Sequence, residues 1–316
     1  MPARTVKVGI LQYAPVHGNL AASMEKLEKL LAQAAKEGVQ LCVVGETWLS
    51  GYPAWLDHCP NVARWNHAPT KQVFGDMYRN SITANGPEIE QIQAWVKEHG
   101  MVLGLGINER VAQGLGSGSL YNSILLFDAD GKLVNHHRKM VPTYTERLVH
   151  AHGDAHGLQA VDTAVGRVGG LVCWEHWIPL ARHAMHTSNE EIHLALWPTV
   201  HEMHQVASRQ YAFEGRCFVL AAGQLMQVKE MPTELEQPPE YTDQPEAWVM
   251  RGGSAIIGPD GFYQTEPVFE KSELVMATLD LDTLAGERMN LDTTGHYFRP
   301  DLFQVNIDRR RLTEEA

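Results

Sequence analysis

Residues 167–180, RVGGLVCWEHWIPL, change character at a single cysteine. The aliphatic run before Cys173, interrupted only by Gly169 and Gly170, reads as a buried strand, and Pro179 opens a helix just beyond it. A buried strand leading straight into a helix is the unit from which α/β sheets are built. Cys173 therefore stands where a strand ends. It is either the last apolar residue of a core strand or a nucleophile at the rim of a pocket.

The same alternation continues in both directions. Upstream, VKVGILQY is a first strand, and Asn19 caps a helix whose Leu20, Met24, Leu27, Leu31 and Ala34 share one face until Gly38 stops it. LCVVG is a second strand ending at Glu46, followed by a Pro-, Trp- and His-rich loop to about residue 66. Gly86-Pro87 starts another helix, with Ile89, Ile92, Trp95 and Val96 aligned and Gly100 past its end. MVLGLGI and LYNSILLFD are strands, and Asp128-Ala129-Asp130-Gly131 turns the latter into KLVNHHRK as a hairpin.

Downstream, EIHLALW and CFVLAAG are strands on either side of the helix EMHQVASRQYAFEG. GGSAIIGPDGFYQ repeats the strand–turn–strand device, and ELVMATLDLD completes the sheet. Residues 229–246 hold four prolines and six acids against one lysine, which predicts a surface loop. The pattern is α/β with mixed sheets covered by helices, in one domain over residues 1–316 with a C-terminal tail from about residue 296.

A chain of 316 residues can bury about three quarters of its surface without disulfides or metals. A net charge of -12 argues against nucleic acid as a partner, and Arg309-Arg310-Arg311 reads as a solvated tail. No apolar run can span a bilayer, and MPARTVKVGILQY does not read as a signal peptide, so the expectation is a cytoplasmic protein with no membrane partner. Cys42, Cys59, Cys173 and Cys217 form no CxxC pair, which suits a reducing cytosol, and Cys42 and Cys217 read as inert packing.

The histidines offer no metal site. His201-Glu202-Met203-His204 lacks the HExxH spacing, while His183, His186, His150, His152 and His156 are expected at the surface or lining a pocket. LGLGIN and GLGSGS lack the lysine and hydroxyl ending of a phosphate loop. Neither metal nor cofactor is expected.

Three reactive side chains stand at strand ends: Glu46 after LCVVG, Lys139 in KLVNHHRK and Cys173 after RVGGLV. Side chains from separate strands converge beyond the carboxyl ends of α/β sheets. A thiol there can attack, a carboxylate can take its proton, and an ammonium can stabilise an anion on the substrate. A cation beside the thiol is expected to lower its pKa and so increase the thiolate share. Each residue also has an ordinary reading: a turn carboxylate, a solvated lysine and a structural cysteine. Tyr52, Trp174 and Thr199, close to these positions or after another strand end, are candidates for lining a pocket. Such aromatic walls suit an arylaliphatic or aromatic substrate, with small aliphatic ones left open.

GETWLSGYPAW, NHHRKMVPTYTER and GGLVCWEHWIPLAR, in that order, resemble the three signature segments of the nitrilase branch of the carbon–nitrogen hydrolase superfamily. WPTVHEMHQVASRQYAFEGRCFVLAAG and DTTGHYFRPDLFQ extend the resemblance over nearly the whole chain. The resemblance implies a four-layer α-β-β-α sandwich with two mixed sheets. It assigns Glu46 as general base, Lys139 as the charge-stabilising residue, Cys173 as nucleophile and Glu146 as a second placed glutamate. It implies a nitrile substrate, a thioimidate and then a thioester on Cys173, two waters consumed, no cofactor, and homo-oligomers that pair or extend into spirals. An amidase or a cyanide-hydrolysing enzyme is the alternative within the superfamily. An inactive assembly subunit is a distant one, opposed by the intact glutamate, lysine and cysteine.

Overall fold

Alternate positions of the central strands are buried in different cores, and that separation builds the layers. The protein, a computed structural model describing residues 3–311, begins with β1 (Thr5–Gln12), α1 (Leu20–Lys36), β2 (Leu41–Val43), α2 (Trp55–His58), α3 (Ala68–Arg79) and α4 (Pro87–His99). It continues through β3 (Val102–Arg110), β4 (Leu120–Phe127), β5 (Leu133–Arg138), β6 (Val161–Thr163), β7 (Gly166–Val172), α5 (Pro179–His186) and β8 (Ile192–Leu196). The last elements are α6 (Glu202–Gly215), β9 (Phe218–Ala222), β10 (Leu225–Gln227), β11 (Trp248–Ile257), β12 (Tyr263–Phe269), β13 (Glu273–Asp280) and α7 (Thr283–Asn290).

One sheet runs β13-β1-β2-β3-β4-β5 and the other β10-β11-β9-β8-β7-β6, with β12 on β11. Both are mixed: β1–β2–β3 and β7–β8–β9 are parallel and the remaining pairs antiparallel. Val8, Ile10, Leu41, Val43, Ile124 and Leu126 share a core with Leu171, Leu194 and Leu196 of the second sheet. Their neighbours Leu11, Cys42, Val44, Leu125 and Phe127 pack instead with Leu27 and Leu31 of α1 and Ile92 and Val96 of α4. Ala181, Met185, Tyr211 and Ala212 of α5 and α6 belong to the core of the second sheet. The result is the α-β-β-α sandwich, each buried aliphatic contributing roughly 1.5–3 kcal/mol. A Cβ on Gly170 would lie 2.9 Å from Ile124 Cδ1, so glycine lets the sheets approach there.

Local signals act as expected at several ends. Asn19 accepts a hydrogen bond from Ala22 N at 3.1 Å, and Gly100 closes α4 at a φ of 58°. The helices α2, α3 and α7 and the short strands β6 and β10 were not expected. Helix α3 buries only Val73, so it carries almost no apolar period to read. The 229–246 segment is not wholly at the surface: Met231 and Leu235 are buried beside Trp55, Leu56 and Met250.

The arginine run also departs from a solvated tail. The Arg311 side chain is buried, paired with Asp154 at 3.2 Å and donating to the His136 carbonyl at 2.7 Å, while Arg309 donates to the Leu158 carbonyl at 3.3 Å. Residues 312–316 of the expected tail lie outside the described residues. Among the described residues, no helix is long and apolar enough to cross a membrane.

Candidate active site

Glu46 lies three residues beyond β2, and Lys139 and Cys173 directly follow β5 and β7. Backbone packing fixes the first. A Cβ on Gly106 would collide with the Gly45 carbonyl, and Leu49 N donates to the Gly106 carbonyl at 3.2 Å, so the glycine seats the Glu46 turn on β3. Asn122 of β4 serves two partners: its side chain donates to Glu46 Oε1 at 2.6 Å and its carbonyl accepts from Lys139 N at 2.8 Å. Gln224 donates to the Glu46 carbonyl.

The Lys139 ammonium donates to Glu46 Oε1 at 2.9 Å and to both oxygens of Glu146, at 2.9 and 2.7 Å. Glu146 sits in a 3₁₀ turn over Tyr144–Leu148, where Thr143 N donates to its Oε2 at 3.1 Å. Tyr52 donates to its Oε1 at 2.8 Å. One oxygen each of Glu46 and Glu146 and the Cys173 sulfur lie within 4.8 Å of one another. These atoms are spaced as metal ligands can be, but the ammonium bonded to both carboxylates would repel a cation.

Cys173, which begins a 3₁₀ turn over Cys173–Trp177, takes a φ of 53°, a left-handed conformation that costs a non-glycine residue roughly 1–2 kcal/mol. Glu175 braces both flanks. Its Oε2 accepts from Val172 N and its Oε1 from Met140 N, each at 2.8 Å, and His137 Nε2 lies 2.9 Å from Oε2. One carboxylate thus ties the residue before the cysteine to the residue after the lysine.

The electrostatics correct one expectation. Burial pushes the Cys173 thiol well above its ordinary value; Glu46 and Glu146 add to the rise and outweigh Lys139 and the Trp174 N–H. The free site therefore favours a neutral thiol, chiefly because the sulfur is buried and then because two carboxylates offset the one cation. Burial likewise raises the Glu46 carboxyl to about 7, with Lys139 and Asn122 opposing and Glu146 assisting. Burial would raise Glu146 too, but Lys139, His150 and Tyr52 hold it below the ordinary carboxylate value. Burial would lower Lys139, yet Cys173, Glu46 and Glu146 keep it raised and charged.

A cavity of about 250 Å³ reaches Cys173, and Tyr52, Trp174 and Thr199 all line it. Thr199 also accepts from Arg251 N at 3.1 Å, which fixes the cavity wall. Three larger cavities, about 420, 650 and 470 Å³, touch neither the cysteine nor the lysine. His58, Thr143, Tyr144, His201, His204 and Met250 are among the other lining residues. They come from loops, single helix positions and, for Met250, strand β11; of these only His201 and His204 were expected at the surface or lining a pocket. Asn122 was detectable as a polar side chain inside the otherwise apolar LYNSILLF. His150 and His186 are neither surface nor lining residues: both are buried, His150 at 2.8 Å from Asn108 Oδ1.

The carbon–nitrogen hydrolase family profile matches residues 7–288, and the chain belongs to that family of hydrolases acting on carbon–nitrogen bonds. It is 35% identical to an arylacetonitrilase of Hypocrea virens, covering 98% of this chain and 93% of that one. It is 34% identical to an aliphatic nitrilase of Sinorhizobium fredii, covering 96% and 95%. A bifunctional nitrilase/nitrile hydratase of Nicotiana tabacum is 33% identical over 96% and 86%. Among solved structures, the Helicobacter pylori carbon–nitrogen hydrolase superposes with a TM-score of 0.71 at 21% identity, over 94% of this chain and 97% of that one, a likeness of fold.

Proposed function

We propose that the protein is a nitrilase, converting an organic nitrile and two waters to a carboxylic acid and ammonia. The observation that carries this reading is the buried Cys173 sulfur within 4.8 Å of a Glu46 oxygen, reached by the cavity walled by Tyr52 and Trp174. A linear nitrile can enter such a cavity end-on. Glu46, near half-ionised at neutral pH, takes the thiol proton as sulfur bonds to the nitrile carbon. The displaced π pair goes to nitrogen, which takes that proton from Glu46, leaving a thioimidate.

Water then adds to the thioimidate carbon with Glu46 receiving its proton. The nitrogen is protonated and leaves as ammonia, and a thioester remains. A second water, activated in the same way, releases the acid and restores the thiol. Lys139 keeps its charge throughout and favours negative charge developing on the substrate. Glu146 and Tyr52 hold that ammonium in place. The Trp174 N–H, which faces the sulfur, supplies a further donor.

The names of the relatives support both aryl and aliphatic nitriles as substrates, and the Tyr52 and Trp174 walls favour the arylaliphatic kind. The same family background supports self-association. Met203, Val206 and Phe213 recur at helical spacing on α6 and are 60%, 50% and 43% exposed, an apolar stripe suited to a second copy. Four unbridged cysteines fit a cytoplasmic location. The test is a panel of arylacetonitriles, aliphatic nitriles, cyanide and amides with acid, amide and ammonia quantified. Turnover of amides alone, or none that depends on Cys173, would overturn the reading.

A further inference from the structure

Next to the nucleophile, four buried side chains that do not line the cavity form a hydrogen-bonded row. His176 Nδ1 lies 2.7 Å from the Cys173 carbonyl oxygen, and His176 Nε2 lies 2.9 Å from His193 Nε2. His193 Nδ1 is 2.8 Å from Glu190 Oε1, and Tyr211 donates to Glu190 Oε2 at 2.7 Å. None of the four is more than 2% exposed. They come from the turn after β7, from β8, from the turn before β8 and from α6, so the row spans the layer between the second sheet and its helices.

The chemistry of the end group sets the proton order. A carbonyl oxygen only accepts, so His176 carries its proton on Nδ1 and offers a lone pair at Nε2. His193 must then donate from Nε2, which leaves a lone pair at its Nδ1. Only a protonated Glu190 can fill that position. Burial supports this assignment: it holds both imidazoles well below their ordinary values and raises the Glu190 carboxyl to about 8, against the pull of Tyr211 and His186.

We propose that this row is a positioning relay for the reaction: protonated Glu190 sets the tautomers of His193 and His176, and His176 thereby holds the Cys173 carbonyl and the left-handed backbone that aims the sulfur into the cavity. The relay rests on Cys173 being the nucleophile. When Glu190 loses its proton, two acceptors face each other at His193 Nδ1. Each ring then moves its proton to the opposite nitrogen, His193 to Nδ1 and His176 to Nε2, and the bond to Cys173 is lost. The groups facing Glu190 are Tyr211 and Glu214 on α6, His186 on α5, His193 on β8, Cys217 before β9, and Arg288 on α7, which donates to the Glu190 carbonyl at 3.2 Å. Burial holds His186 at about 4, so no imidazolium there competes for the relay.

The test compares pH profiles of kcat for wild type, Glu190→Gln and Glu190→Leu on a nitrile that turns over. Glutamine donates to His193 Nδ1 at every pH and still accepts from Tyr211. The wild type is expected to lose kcat above about pH 8, and Glu190→Gln to move that limb up by about one pH unit or more while staying within roughly threefold of wild type at pH 7. Glu190→Leu is expected to lose kcat about tenfold at pH 7 with little change in KM. A Glu190→Gln limb identical to wild type, or a fully active Glu190→Leu, would overturn the relay. Nitrogen NMR of the wild type supplies an arm that needs no turnover: protons on His176 Nδ1 and His193 Nε2 at pH 7 support it, and the opposite tautomers refute it. An enzyme inactive on every nitrile with the expected tautomers would sink the nitrilase reading and its link to the relay, leaving only the proton order.

Discussion

The Lys139 ammonium binds one oxygen of Glu46 at 2.9 Å, while the second oxygen of that carboxylate, equally buried, has no hydrogen-bond partner among the described residues. Lys139 makes two bonds to Glu146 and one to Glu46, so its charge is divided unequally. Glu146 is held ionised, and Glu46 is left with free lone pairs and a proton affinity suited to neutral pH. Two carboxylates of the same kind thus receive different tasks from their surroundings.

That division sets the acid limb of the reaction. The rate depends on ionised Glu46, whose carboxyl titrates at about 7, so kcat/KM should fall as the pH is lowered through about 7. Glu46→Gln should lower turnover by roughly 10²–10⁴-fold at every pH. A profile flat from about pH 5.5 to about 8 would remove Glu46 as the base.

Removing the cation should damage stability and activity separately. Lys139→Met leaves Glu46 and Glu146 buried without their counter-charge, and should destabilise the fold by about 3–5 kcal/mol. Adding Glu146→Gln removes one of the stranded charges and should recover part of that loss in denaturant unfolding. Ammonia release should remain at background in both variants. Activity returning together with stability would mean that Lys139 acts on the fold alone.

Some of this site was legible in the sequence because each key residue stands at or shortly after a strand end. The strands end at Val43, Arg138 and Val172, and the resemblance of three segments singled out Glu46, Lys139 and Cys173 beyond them. Tyr52 and Trp174 follow these positions closely in sequence and line the cavity. The neutral thiol was not legible, since the sign of its shift is set first by how deeply the sulfur is buried and then by Glu46 and Glu146 against Lys139 in space. The row through His193, Glu190 and Tyr211 was equally hidden, because no single element holds more than two of its members. The helix α3 escaped notice because its single fully buried residue, Val73, leaves no apolar stripe.

The wall formed by Trp174 should govern substrate size more than chemistry. Its indole lines the cavity and is 50% exposed, so its gain on covering an aryl group is a fraction of full burial. Trp174→Ala should raise KM for arylacetonitriles by about tenfold, equivalent to ~1.4 kcal/mol, with a smaller effect on short aliphatic nitriles. Equal losses on both classes would place the indole's role in holding Cys173 rather than in binding.

The apolar stripe on α6 makes a prediction about assembly. Val206 and Phe213 are exposed on one face, and two carboxylates there would have to be desolvated against a partner copy. The pair Val206→Asp and Phe213→Asp should reduce the mass seen by sedimentation while leaving the circular dichroism of the monomer intact. Unchanged mass would move the contact elsewhere.

Stability should fall with alkalinity for a reason internal to the fold. The carboxyls of Glu190 and Glu46 are raised from an ordinary 4.5 to about 8 and about 7, so the unfolded chain releases those protons at lower pH than the native one. Their contribution is therefore complete below about pH 4.5 and is lost as pH rises through 7 to 8. Glu146 and Glu175, held below the ordinary value, act in the opposite sense and are lost as the pH falls below it. Glu190→Gln removes one raised carboxyl, so its melting temperature relative to wild type should climb steadily from about pH 4.5 to about 8 and then level off. A difference independent of pH would mean that Glu190 is ionised in the native protein at the lower end of that range, with the proton of the row resting on a histidine instead.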